Sequence, residues 1–226
     1  MWLHPAKAQR SHSNAAKTMI VVLPGRGMTT RELEENGFVH AVGALDMAAD
    51  VLLADAHLAY YEDRSILKRL RADVIEPARQ SGYKAIWLAG ISLGGLGAIL
   101  YADAHPYEIA GVLAIAPYLG GADGLRTVID AGGLLRWRAA TNPGGESEIS
   151  DEVWRSAQGV VQRNDAGTGP PLLLGYGLED RFAPSNQALA ESLPRDRVFT
   201  APGGHDWSPW RGLWQRMLVA TDLRRC

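Results

Sequence analysis

Cysteine is almost missing from this chain: of 226 residues one is Cys, and it is the last, Cys226. A lone thiol closes no intrachain disulfide, so folding requires no oxidising compartment, and at a terminus it reads as a bland exposed group. An excess of charge of one sign is missing too. The 23 Lys and Arg against 25 Asp and Glu leave a formal net charge of −2, and no basic run is long enough to follow a phosphate backbone. Nucleic acid is therefore not an expected partner. No apolar run approaches the roughly 20 residues that span a bilayer. Residues 1–17 carry His, Lys, Arg, Asn and Gln among scattered alanines, without the apolar stretch of a secretory signal. No membrane association and a cytoplasmic location are the expectations. Glycine-rich dinucleotide fingerprints, Walker loops and metal-ligand clusters are also absent, so no cofactor is expected.

Short apolar runs of strand length are present at 19–23, 51–54, 85–89, 111–116, 171–176 and 197–201, and segments with helical spacing lie between them at 31–45, 65–80, 93–104, 186–193 and 209–223. Uninterrupted apolar strands alternating with helices belong to a parallel sheet covered on both faces. The predicted fold is α/β: a three-layer α/β/α sandwich on a mostly parallel sheet of about six strands. The length suits one domain, residues 18–226, preceded by a flexible arm over residues 1–17. One stretch breaks the alternation. Residues 118–170 hold two helix-like pieces, near 124–135 and 150–162, separated by Thr141-Asn142-Pro143-Gly144-Gly145. This insertion follows the fourth strand at the carboxyl edge of the sheet, where ligands bind in open α/β folds, so it is read as a cap over the pocket.

The chemistry gathers at that edge. Gly90-Ile91-Ser92-Leu93-Gly94 lies between an apolar strand and a small-residue helix, the strand, turn, helix setting of a nucleophile elbow. The flanking glycines are needed because the turn is too tight for side chains. A serine hydroxyl needs a base, and the base an orienting acid. Gly175-Tyr176-Gly177-Leu178-Glu179-Asp180 ends the fifth strand in carboxylates, and Ala201-Pro202-Gly203-Gly204-His205 follows the sixth. Ser92, Asp180 and His205 are the candidate catalytic residues, with Glu179 competing for the acid position. His57 is watched only as a pocket-lining residue, and Asp206 reads as a helix cap ahead of Trp207. The oxyanion of a tetrahedral intermediate requires N–H donors: Leu93, opening the helix after Ser92, and Arg26, in the glycine turn Pro24-Gly25-Arg26-Gly27-Met28, with Gly25 next in line.

With serine, acid, histidine and glycine turn in this order, the chain resembles the α/β-hydrolases over about residues 18–222. Gly90 to Ala98, His105-Pro106 and Gly203-Gly204-His205-Asp206-Trp207 with Trp210 resemble serine esterases of the esterase-D and feruloyl-esterase kind. The resemblance implies hydrolysis of an ester or thioester through an acyl-enzyme. Where that family often has His-Gly in the first oxyanion loop, Pro24-Gly25 stands here, which keeps the N–H donor and loses a side chain that braces the loop. A reduced, six-stranded form is implied, with the edge beside the second strand open to solvent or to a homodimer partner. Tyr60, Tyr61, Tyr118, Trp137 and Trp154 are candidates for an aromatic acyl or alcohol pocket. The same triad also serves lyases and perhydrolases, and a non-catalytic ligand-binding protein on this scaffold is the reading from another class.

Overall fold

The computed structural model describes residues 4–5, 17–139, 146–221 and 223. The strands are β1 (His4–Pro5), β2 (Lys17–Leu23), β3 (Ala49–Leu53), β4 (Tyr83–Ile91), β5 (Gly111–Ile115), β6 (Leu172–Gly177) and β7 (Val198–Ala201), in one sheet of order β1-β3-β2-β4-β5-β6-β7. The six strands β2 to β7 run parallel, in the positions expected from the apolar runs. The seventh was not foreseen. β1 lies antiparallel on β3, with His4 opposite Leu53 and Pro5 opposite Leu52, so part of the edge expected to be open is covered by the chain itself. Of the arm expected over residues 1–17, His4 and Pro5 join the sheet and Lys17 begins β2; its other residues lie outside those described.

Each parallel strand sends alternate residues to opposite faces, and both faces are dry. Met19, Val21 and Leu23 of β2 and Ile86 and Leu88 of β4 join one core; Ile20 and Val22, with Trp87, Ala89 and Ile91, join the other. The first core is covered by a helical stretch made of α4 (Ile66–Leu70), a π-helical turn (Arg71–Ile75) and α5 (Glu76–Gln80). It is completed by α6 (Leu93–Ala104), α8 (Glu146–Asp165) and α9 (Ala183–Ala190). The second is covered by α1 (Thr30–Glu35), α2 (Phe38–Ala44) and α10 (Trp207–Val219). Two short helices, α3 (Ala59–Glu62) and α7 (Ala122–Asp130), follow β3 and β5 on the carboxyl side. The expected α/β/α sandwich is the fold observed.

Three local departures have physical reasons. The helix expected over 31–45 is two helices, because Gly37 adopts φ 81, a left-handed conformation that ends one helix and redirects the chain. Helices α9 and α10 both begin ahead of the residues expected. Proline is tolerated in a first helical turn, so α9 takes in Pro184, which stood ahead of the expected helix, and α10 begins two residues before Pro209, where the expected helix began. The insertion after β5 divides. Two parallel neighbours need a crossover of a dozen or more residues, and α8 is that crossover, packed on α6 and β6 with Val153, Trp154, Ala157, Val160 and Val161 buried. The cap reading therefore fails for the second half of residues 118–170, which is an ordinary layer of the sandwich. The Thr141 to Gly145 segment lies outside the described residues. No helix among them is long and apolar enough to cross a membrane.

Candidate active site

Strand β4 ends at Ile91 and α6 begins at Leu93, so Ser92 alone makes the turn between them. It does so at φ 53 and ψ −112, a conformation L-residues rarely adopt and one that costs on the order of 1–3 kcal/mol. The strain is held by neighbours: Ser92 N–H donates to Ile115 O at 2.9 Å, and Ser92 O accepts from Leu96 N–H and Tyr118 N–H at 3.1 and 3.0 Å. Crowding explains the glycines. A methyl group on Gly90 would overlap the carbonyl of Gly94, and one on Gly94 would overlap the carbonyl of Leu23 at the end of β2. Gly94→Ala is accordingly expected to destabilise the fold by about 3 kcal/mol or more, measured as a fall in the denaturant midpoint; an unchanged midpoint would contradict the tight elbow.

Three residues from three strand ends meet above the sheet. His205 Nε2 lies 3.0 Å from Ser92 Oγ, and His205 Nδ1 lies 2.7 Å from Asp180 Oδ2. The Asp180 side chain is fully buried and the imidazole 12% exposed, so both sit in a medium where charge interactions are stronger than in water. Asp180 Oδ1 accepts from Phe182 N–H at 2.8 Å, which orients the other oxygen toward the ring. The imidazole is flanked by Phe182 and Trp210, each edge-on with ring centroids 4.9 Å away.

Glu179 faces elsewhere. Its carboxylate accepts the N–H of Gly203, and its own N–H donates to Gly203 O at 3.1 Å, which ties the loop after β6 to the loop carrying His205. Asp206 caps α10 by accepting from Ser208 N–H at 2.8 Å, as expected. His57 is exposed beside Asp55 and has no part in the cluster.

Of the donors expected for an oxyanion, Leu93 directly follows Ser92 and Arg26 lies in the turn after β2. Leu93 is the first residue of α6, so its N–H is among those a helix leaves without an internal acceptor. The turn after β2 is closed by Met28 N–H donating to Gly25 O at 3.1 Å, with Gly27 at φ 73, the type II arrangement that places Arg26 at its corner. Gly25 N–H is engaged by Met28 Sδ at 3.2 Å, which removes Gly25 as the alternative donor. Of the aromatic candidates, Tyr118 is at the site: its ring meets Phe182 at 5.5 Å. Trp154 and Trp137 are sealed in the core, 0% and 2% exposed, with Trp137 Nε1–H donating to Thr127 Oγ1 at 2.9 Å. They pack the sandwich and do not form an open wall. Tyr61 buries its hydroxyl against Gly97 of α6, and Tyr60 lies half-buried against Arg69 and His57. Phe182, Trp210 and Met28 were missed as site residues. The first two stand two and five residues beyond Asp180 and His205, a spacing that one turn of chain brings back to the imidazole.

The Esterase family profile matches residues 61–221, more than half of the chain. The chain belongs to the Esterase family, whose members are ester-hydrolysing enzymes. No curated protein matches the sequence. Among solved structures, this esterase resembles S-formylglutathione hydrolase (FrmB) from Staphylococcus aureus at 16% identity and a TM-score of 0.63, over 89% of this chain and 79% of that one. FphF, a fluorophosphonate-binding serine hydrolase of Staphylococcus aureus, is 15% identical with a TM-score of 0.65, over 97% and 91% of the two chains. Est1E from Butyrivibrio proteoclasticus, with ferulic acid bound, is 18% identical with a TM-score of 0.63, over 96% and 91%. At such identities the likeness speaks for the α/β-hydrolase fold. Among the described residues of this esterase, no group of three or more His, Cys, Asp or Glu is placed to hold a metal ion.

Proposed function

We propose that the chain is a serine hydrolase that cleaves a carboxylic ester or thioester of a small acyl compound. The observation that carries this reading is the continuous relay from Ser92 Oγ to His205 Nε2 and from His205 Nδ1 to Asp180, at 3.0 and 2.7 Å. In this reading His205 takes the Ser92 proton as Oγ attacks the acyl carbon, and Asp180 holds the Nδ1 proton and stabilises the imidazolium that forms. Negative charge developing on the carbonyl oxygen is met by the N–H groups of Leu93 and Arg26, aided by the α6 dipole. The imidazolium then protonates the leaving oxygen or sulfur. Water, deprotonated by His205, attacks the acyl-Ser92 carbonyl and frees the acid and the serine.

A small acyl compound fits because Ser92 is only 8% exposed and the imidazole beside it is walled by Phe182 and Trp210, with Tyr118 packed against Phe182. The aromatic acid bound by Est1E makes ring-bearing acyl groups a natural part of the panel. The unbroken relay weighs against a non-catalytic binding protein on this scaffold. A set of p-nitrophenyl esters and acyl thioesters, with short and aromatic acyl groups, is expected to yield turnover with saturation. A fluorophosphonate is expected to label Ser92 one to one. No turnover on any member together with no labelling would reject the reading.

A further inference from the structure

The turn that presents Arg26 has little to hold it. Arg26 and Gly27 are exposed, nothing lies within 4 Å of where a Gly27 side chain would stand, and no hydrogen bond or ion pair among the described residues restrains the Arg26 side chain. What restrains the turn is Met28. Its N–H donates to Gly25 O at 3.1 Å, and its Sδ accepts from Gly25 N–H at 3.2 Å, so one residue engages both polar groups of Gly25. The contact is close on both sides. The Met28 Sδ and Cε atoms lie 3.0 Å from where a Gly25 Cβ would be, and Ile91 O, one residue before Ser92, lies 3.3 Å from that point. Gly25 is thus gripped between the methionine and the strand end that carries the nucleophile. The rest of the Met28 side chain packs against the core of α2 and α10, which anchors the grip to the rigid part of the fold.

We propose that Met28 is a positioning residue for the oxyanion loop, and that oxidation of its thioether releases the loop and lowers turnover. The proposal rests on the assignment of Arg26 N–H as a donor to the reacting carbonyl oxygen. Such a donor acts only when held within a fraction of an ångström of its place, so a loosened Gly25 costs transition-state stabilisation more than substrate binding. Oxidation is site-selective for a simple reason: among the described residues Met19, Met47 and Met217 are buried, and Met28 alone is partly exposed. With hydrogen peroxide as oxidant, the O–O bond breaks as one oxygen binds Sδ. The sulfur loses two electrons to become the sulfoxide, and the other oxygen leaves as water. The sulfoxide adds an oxygen, itself a stronger acceptor, to a sulfur that already stands 3.2 Å from Gly25 N, so the contact that holds Gly25 is rebuilt and the residue shifts.

Met28→Leu keeps the volume and removes the acceptor. On an ester turned over by the wild type it is expected to lower kcat by about tenfold with KM within about twofold. Peroxide-treated wild type is expected to lose activity in step with Met28 sulfoxide measured by mass spectrometry, to recover with methionine sulfoxide reductase, and Met28→Leu to be unaffected by the treatment. Wild-type kcat in the leucine variant, or equal peroxide sensitivity of the two proteins, would overturn the brace. If the variant does not fold, the wild-type oxidation series decides alone: activity loss that follows another residue overturns the proposal. Failure of the underlying reading looks different, since then the wild type hydrolyses no ester and fluorophosphonate leaves Ser92 unlabelled, and both fall together.

Discussion

Ser92→Ala is expected to lower kcat on any hydrolysed ester by about 10⁵-fold or more, the scale seen when a serine nucleophile is removed from a comparable relay. Stability should change by no more than about 1 kcal/mol. Alanine keeps the Cβ that already stands at φ 53, and the main-chain hydrogen bonds from Ser92 to Ile115, Leu96 and Tyr118 remain. The only bond lost is Oγ to His205 Nε2. Steady-state turnover and fluorophosphonate labelling of the purified variant are the measurements. Residual turnover within tenfold of wild type would mean that Ser92 is not the nucleophile, whatever the geometry around it.

Asp180→Ala should come next in size, a fall of about 10⁴-fold in kcat. The carboxylate is fully buried, so its removal leaves His205 Nδ1–H and Phe182 N–H facing a hole, the ring free to turn and its positive form without a counter-charge. Asp180→Asn separates these causes, because an amide retains bulk and still pairs with the ring while favouring the wrong tautomer. The comparison with Glu179→Ala is the sharper control. Glu179 touches Gly203 and not the imidazole, so its loss should cost about tenfold through a looser histidine loop. Equal losses for the two alanine variants would show that the acid has been misassigned.

Much of this site was legible before any fold was drawn. Gly90 is crowded by Gly94 only four positions on, although Gly94 itself is crowded by Leu23 of a distant strand, and the apolar runs mark strands buried on both faces, so elbow and sheet could both be read along the chain. The order of Ser92, Asp180 and His205, each beyond the end of a different parallel strand, followed from the same runs. Helix starts were less legible at Pro184 and Pro209, since proline both marks a beginning and is tolerated within a first turn. The split at Gly37 depended on one backbone angle that a helical period does not report.

Other matters needed the chain to be folded. Asp180 and Glu179 are adjacent and chemically alike, and what separates them is direction toward a histidine 25 residues away, which only the packed loops define. Trp137 and Trp154 fall in a segment that leaves the carboxyl edge, yet α8 turns back along the sheet and takes Trp154 into the core, because two parallel strands must be joined by a covering helix. Met28 carried no motif; its role emerges from a sulfur set against a neighbouring amide by the closure of the turn. By itself the sequence determined the fold class, the nucleophile turn and the histidine, because each rests on short-range sterics or on periodic burial. The tertiary structure decided which carboxylate reaches the histidine, which aromatics pack around the imidazole and what holds the turn at Gly25, because each is a distance between residues that chain order leaves free.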